Sequence, residues 1–150
     1  MAVKILENIG IETTGLSASA INKLITAGKS GIVGRYLNEC ALSATGNTVI
    51  ISTGKMIIGG VQLEIDTPVS LTLSSVPTED VRYQVVVELR KGEDDQWVDD
   101  IFVRLPSPLI QENFTQGGYT YQLELGRVTH KTTGQVTEVL RTADILYGQS

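Results

Sequence analysis

Period-two alternation is the feature that most restricts how this chain can fold. In VQLEID (61–66), Val61, Leu63 and Ile65 point one way and Gln62, Glu64 and Asp66 the other. VSLTLS (69–74) repeats the pattern, with Val69, Leu71 and Leu73 opposite Ser70, Thr72 and Ser74. In RYQVVVELR (82–90), Tyr83, Val85, Val87 and Leu89 share a face; in YTYQLEL (119–125), Tyr119, Tyr121, Leu123 and Leu125 do the same. Successive side chains of a β-strand point to opposite faces, so each segment predicts a strand with one dry and one wet side. Turn-forming residues separate them at Thr45-Gly46-Asn47, Gly59-Gly60, 75–80, 91–95 and 132–135. Short, regularly spaced strands predict a mainly β fold, an antiparallel β-sandwich or small barrel. The longest gap, 106–119, contains Gly117-Gly118 and reads as a crossover loop between sheets.

A different pattern precedes residue 35. Ser17 or Ser19 can cap a helix, Ile21, Leu24 and Ile25 fall at helical spacing, and Gly28 is placed to end it. So short a helix is marginal alone and must dock on something. The start, MAVKILENIGI, carries Val3, Ile5, Leu6, Ile9 and Ile11, too apolar to remain in water. Residues 1–34 therefore read as an arm and short helix that serve assembly, and 35–150 as the β domain. Ile5, Ile9, Ile21, Leu24 and Ile25 are the candidate oligomer contacts, because exchanging a terminal element between protomers is a low-cost route to an oligomer. The tail GQVTEVLRTADIL (134–146) fits two periods. Val136, Val139, Leu140 and Ala143 make a helical stripe, while the β-branched residues after a Thr-Thr-Gly turn favour a strand followed by an extended arm.

Charge narrows the partners. Twelve basic and seventeen acidic side chains leave a net charge of −5, and five of the acids lie in EDDQWVDD (93–100). No basic excess or stripe appears, which argues against nucleic acid. The single cysteine, Cys40, cannot form an internal disulfide, in keeping with a reducing cytosol. MAVKILENIG lacks the apolar core of a secretory signal, and no apolar run approaches the ~20 residues of a membrane span. A soluble protein made inside a cell is expected.

The motifs that suggest chemistry fail on context. Gly28-Lys29-Ser30 ends like a phosphate-binding loop, but Lys23 stands where that loop needs its first glycine, and the triplet follows a helix instead of a strand. It reads as a helix cap and hinge. EDDQWVDD lacks the alternating ligands, mid-loop glycine and distal glutamate of an EF-hand, and reads as a solvated hairpin turn whose charges guard strand edges. His130, the only histidine, has no cysteine nearby in sequence for a zinc site and no nucleophile-elbow sequence to serve. Beside a turn, it is expected to be exposed. Cys40, among apolar neighbours, is expected to be buried and inert. No catalytic residue, cofactor or metal is expected, and the chain reads as non-enzymatic. The alternative to a structural role is a glycan-binding module. Trp97 and Tyr119 are then the possible ligand contacts, although Trp97 also reads as a packed or rim aromatic and Tyr119 and Tyr121 as core.

Two stretches carry a resemblance. NTVIISTGKMIIGGVQLEI (47–65) runs strand, Thr-Gly turn, strand, Gly-Gly break, strand. YQLELGRVTHKTTGQVTEVLRTADIL (121–146) joins a long strand, a Thr/Gly turn and a closing phrase. Together, over 36–146, they resemble the baseplate and tail-fibre proteins of tailed bacteriophages, including the N-terminal regions of receptor-binding proteins. The resemblance implies that 47–65 builds one compact hairpin layer. It implies a homotrimer or other symmetric oligomer, placed in the virion tail after synthesis in the host cytoplasm. Its partners would be copies of itself, other tail proteins and a host cell-wall saccharide. No catalytic residue comes with it.

Overall fold

The computed structural model describes residues 3–6, 30–92 and 96–146. Among these the chain is mainly β. Its strands are β1 (Val3–Leu6), β2 (Gly31–Val33), β3 (Leu42–Thr45), β4 (Thr48–Ile51), β5 (Gly54–Ile58), β6 (Val61–Ile65), β7 (Val69–Thr72), β8 (Val81–Lys91), β9 (Trp97–Arg104), β10 (Thr120–His130), β11 (Val136–Arg141) and β12 (Ile145–Leu146). One 3-10 turn covers Phe114–Gln116. The strands form a five-stranded sheet in the order β1-β6-β5-β2-β12, a four-stranded sheet β11-β10-β8-β9 and a three-stranded sheet β3-β4-β7. These sheets do not close, so the barrel alternative is overturned. The helix expected near Ser17–Gly28 lies outside the described residues.

Turn chemistry sets the local pairings. Gly59 and Gly60, at φ of 59° and 89°, make the two-residue turn that pairs Ile58 with Val61. A Cβ on Gly59 would sit 2.7 Å from the Phe114 ring, so this glycine also admits that ring to the core. Gly46-Asn47 makes the two-residue turn between β3 and β4. Every strand pairing is antiparallel except that of β12 with β2.

Two expectations are corrected here. The run 47–65 is not one hairpin layer. Its β4 pairs with β3 and β7, whereas β5 pairs with β6 and β2, so Ser52-Thr53 hand the chain from one sheet to another. The tail does contain a strand, β11, but no extended arm follows within the described residues. The chain instead returns as β12 alongside β2, with Ile32 N–H donating to Asp144 O at 2.8 Å and Gly34 N–H to Leu146 O at 2.7 Å.

The alternation read from sequence maps onto one contiguous core. Val61, Leu63 and Ile65 of β6, Met56 and Ile58 of β5, and Val85, Val87 and Leu89 of β8 are all buried in it. Val49 and Ile51 of β4 join from the small sheet, whose dry face is completed by Leu42, Ala44, Val69 and Leu71.

A bulge redirects β10. Glu124 pairs with Val86 and Gly126 with Val85, so Leu125 is an extra residue. Before it, odd-numbered residues face the core; after it, even-numbered residues do. Val128 and His130 therefore turn inward, and Arg127 and Thr129 take the opposite face, where Thr129 is buried against Arg82 and Glu138. This overturns the expected exposure of His130, which is 2% accessible with Nε2 3.1 Å from Gly134 O and its ring 6.1 Å from that of Tyr83. Gly126 suits the site because a Cβ there would overlap Leu140 O of β11.

Candidate functional site

The outer face of the four-stranded sheet should be wet by its sequence, yet its centre is dry. β8 contributes Gln84, Val86 and Glu88, β10 contributes Gln122 and Glu124, and β9 contributes Arg104. Gln84 and Gln122 are each 2% accessible, and Val86 is fully buried. The cover is segment 105–112. The gap 106–119, expected to cross between sheets, instead joins β9 to β10 within the four-stranded sheet, passing over the face of the intervening β8.

Buried amides need partners, and these have them. Gln84 Nε2 donates to Glu124 Oε1 at 2.7 Å and to Ser107 O at 3.2 Å, while its Oε1 accepts from Arg104 Nε at 2.8 Å. Gln122 Oε1 accepts from Ile110 N–H at 2.9 Å and from Arg104 at 3.3 Å; its Nε2 donates to Glu88 at 2.9 Å. Arg104 also reaches Pro108 O at 3.4 Å. The loop is thus held to the sheet by side chains satisfying its backbone groups.

Glu124 ends this network and is its most constrained charge. Arg127 Nε donates to Oε1 at 3.1 Å, and the Thr142 hydroxyl donates a very short bond to Oε2. Burial alone would raise its pKa, but the bonds from Thr142 and Gln84 and the Arg127 charge outweigh burial, and the carboxyl titrates below its ordinary range. It is therefore a fixed, ionised acceptor at neutral pH.

Beside Glu124 the edge of β10 is notched. Ile110 O accepts from Gln122 N–H at 2.7 Å on one side of the gap, and Leu125 O accepts from Thr142 N–H at 3.1 Å on the other. The notch has a volume of about 390 Å³, and Leu109, Gln111, Tyr121, Glu124, Thr142 and Asp144 are among its lining residues. Among the described residues, the Asp144 carboxylate and the Tyr121 hydroxyl make no hydrogen bond or ion pair.

Of the candidate contact residues singled out from sequence, the described ones do not line this notch. Ile5 lies in β1, in register with Leu63 of β6. Ile9, Ile21, Leu24 and Ile25 lie outside the described residues. Trp97 packs edge-on against Phe114, ring centroids 4.9 Å apart, with its indole N–H buried and without a partner among the described residues. Tyr119 is 65% exposed, which corrects its reading as core. The two aromatics lie at one end of the sheet, Trp97 opposite Lys91 and Tyr119 O accepting from Lys91 N–H, but only Tyr119 presents its ring to solvent. Cys40 is buried as expected, and burial pushes its thiol up to about 12. Among the described residues no three His, Cys, Asp or Glu side chains are grouped to hold a metal ion. No helix there is long and apolar enough to cross a membrane.

Gln84, Arg104, Gln122 and Glu124 drew no notice in the sequence. One signal was available: the Val85-Val86-Val87 run breaks alternation, and a strand that is apolar on both faces is covered on both faces. Comparison with protein-family models, curated proteins and solved structures finds no match to this chain. Its own residues carry the functional reading.

Proposed function

We propose that this chain is a non-enzymatic structural component of a phage or prophage tail, in the baseplate or at a tail-fibre attachment, that self-assembles into a symmetric oligomer, a trimer being favoured. The observation that carries the assembly reading is the position of the first and last described strands. β1 and β12 are the two outermost strands of the same five-stranded sheet. A short edge strand can be supplied by a neighbouring copy with the same backbone pairing, so exchange costs little beyond ordering the connection. The finer fold reading, a sandwich of the five- and four-stranded sheets, suits a module that presents edges and outer faces to other tail proteins. The phage assignment itself rests on the strand-and-turn phrasing of 47–65 and 121–146.

Light scattering coupled to size exclusion tests the assembly. The expected mass is about three times the 16.2 kDa chain. The double variant Ile21→Asp/Leu24→Asp is expected to elute as a folded monomer, and Ile5→Pro, which removes a backbone donor from β1, to weaken assembly. A wild-type chain that stays monomeric at every concentration refutes self-assembly.

A further inference from the structure

We propose that the free edge of β9 takes up, as an added antiparallel strand, an extended segment of another protein that carries two adjacent basic residues beside apolar ones. The site uses none of the strands on which the assembly reading rests, so the two stand or fall separately.

Length and direction come first. β9 lies at the outside of the four-stranded sheet, with β8 on one side only. At eight residues it is the longest edge strand among the described ones; β1, β3 and β7 have four, β11 six and β12 two. Lys91 N–H donates to Tyr119 O of β10, so by strand alternation Arg90, Glu88 and Val86 turn their backbone groups to β9 and meet Val98, Asp100 and Phe102 there. The N–H and C=O groups of Asp99, Ile101 and Val103 therefore face the open side, where no described strand lies. Such a row is a template for a further strand.

The side chains of that edge select the occupant. Its C-terminal half is apolar on both faces: Ile101 and Val103 pack against the core, and Phe102 lies half-buried on the outer face. The other half carries Asp99 on the core side, in register with Leu89, and Asp100 on the outer side, in register with Glu88. Neither aspartate forms an ion pair among the described residues. The cations nearby are committed elsewhere, Arg90 to Glu88 and Arg104 to Gln84. Burial and the Asp100 charge push the Asp99 carboxyl up, as befits an anion with no cation beside it. An incoming strand that sets Arg or Lys opposite both carboxylates and apolar side chains opposite 101–103 compensates the charge and covers the apolar half.

A second copy fits poorly. A two-fold antiparallel pairing centred on Asp100 sets that residue against itself, and one centred on Asp99 does the same to Asp99. Centred on Ile101, it sets Asp99 against Val103 and Asp100 against Phe102. Like charges directly opposite are destabilising, and so is a carboxylate buried against apolar side chains without a partner. The same carboxylates repel an acidic segment.

The test titrates the full chain, labelled with nitrogen-15, with the end-blocked peptide Thr-Val-Thr-Ile-Arg-Arg-Val-Thr. Saturable amide shifts are expected in β9 and its neighbour β8. The peptide with Glu in place of both Arg residues is expected to bind at least tenfold more weakly, as is the Arg peptide to the Asp99→Asn/Asp100→Asn chain. Ile101→Pro removes an N–H from the open side only, which an edge strand tolerates, and is expected to abolish the shifts. Should that variant fail to fold, the double asparagine chain decides alone. The proposal is overturned if the Arg peptide gives no saturable shifts in β9, if the Glu peptide or the double asparagine chain binds as tightly, or if a folded Ile101→Pro chain still binds. It is equally overturned if the β9 amides shift with chain concentration in the absence of peptide, which would place a second copy at this edge.

Discussion

Gln122→Met tests whether the buried polar layer clamps the crossover loop. Methionine nearly matches glutamine in volume, so cavity formation contributes little. The substitution removes the 2.9 Å bond to Glu88, the 2.9 Å bond from Ile110 N–H and the 3.3 Å bond from Arg104. Two of those partners keep alternatives. Glu88 remains paired with Arg90 at 3.2 Å, and Arg104 remains on Gln84 and the loop carbonyls. Ile110 N–H, in a part-buried position, loses its side-chain acceptor. A net hydrogen bond contributes about 1 kcal/mol, and an unsatisfied buried donor costs about 1–3 kcal/mol. The expected loss is therefore about 2–3 kcal/mol, or roughly 4–12 °C in melting temperature for a chain of this size. Urea unfolding reads the stability, with an unchanged slope showing that the unfolded state is the same. Hydrogen exchange reads the mechanism, because the Ile110 amide should lose protection before the β8 amides do. The exposed control Gln135→Met should stay within about 0.5 kcal/mol. A loss below about 0.5 kcal/mol, with Ile110 protection intact, would refute the clamp.

Other expectations follow from the same structure. Phe114→Ala should cost about 3–5 kcal/mol in chemical unfolding, since this ring is 1% exposed and packs on both Trp97 and Tyr121. Glu124 has a folded pKa below its unfolded value, so its stabilisation is present above the ordinary carboxylate range and fades as pH falls through the folded value. Glu124→Gln should accordingly flatten the acid limb of a stability profile measured below about pH 4.3; an acid limb identical to wild type would count against the network. Asp99 behaves oppositely, raised chiefly by burial and further by Asp100, so its ionisation costs stability as pH rises through the folded value. Asp99→Asn should melt higher than wild type at neutral pH, with the gap closing in acid. Asp99 also points inward on the edge strand β9, an arrangement that discourages edge-to-edge pairing. Asp99→Val/Asp100→Thr should therefore raise the concentration-dependent mass seen by light scattering.

How much of this was legible from sequence differs residue by residue. The dry faces of β6 and β8 were readable because alternation is local: Val61, Leu63 and Ile65 need only their own spacing to declare a face. The turn at Gly59-Gly60 was readable for the same reason, as positive φ at two successive residues selects glycine. The hairpin under EDDQWVDD was likewise visible, and β8 and β9 pair across it from Lys91 and Trp97. His130 was misread because its direction depends on the bulge at Leu125, five residues earlier. That bulge answers to the approach of Leu140 on another strand, with only Gly126 as a trace in the sequence.

What the sequence determined by itself was the β content, most strand positions, the tight turns and the burial of Cys40, all properties of neighbours along the chain. Tertiary structure alone decided which strands share a sheet, so that β4 and β5 part company across Thr53 while β12 joins β2 in parallel. It also decided that Gln84 and Gln122, polar residues on a face that alternation calls wet, lie dry beneath the crossover loop. The physical reason is that alternation records only what a strand's two faces touch on average. Whether polar groups meet water or a loop's backbone depends on segments far away in the chain, and the notch beside Glu124 exists only where three of them meet.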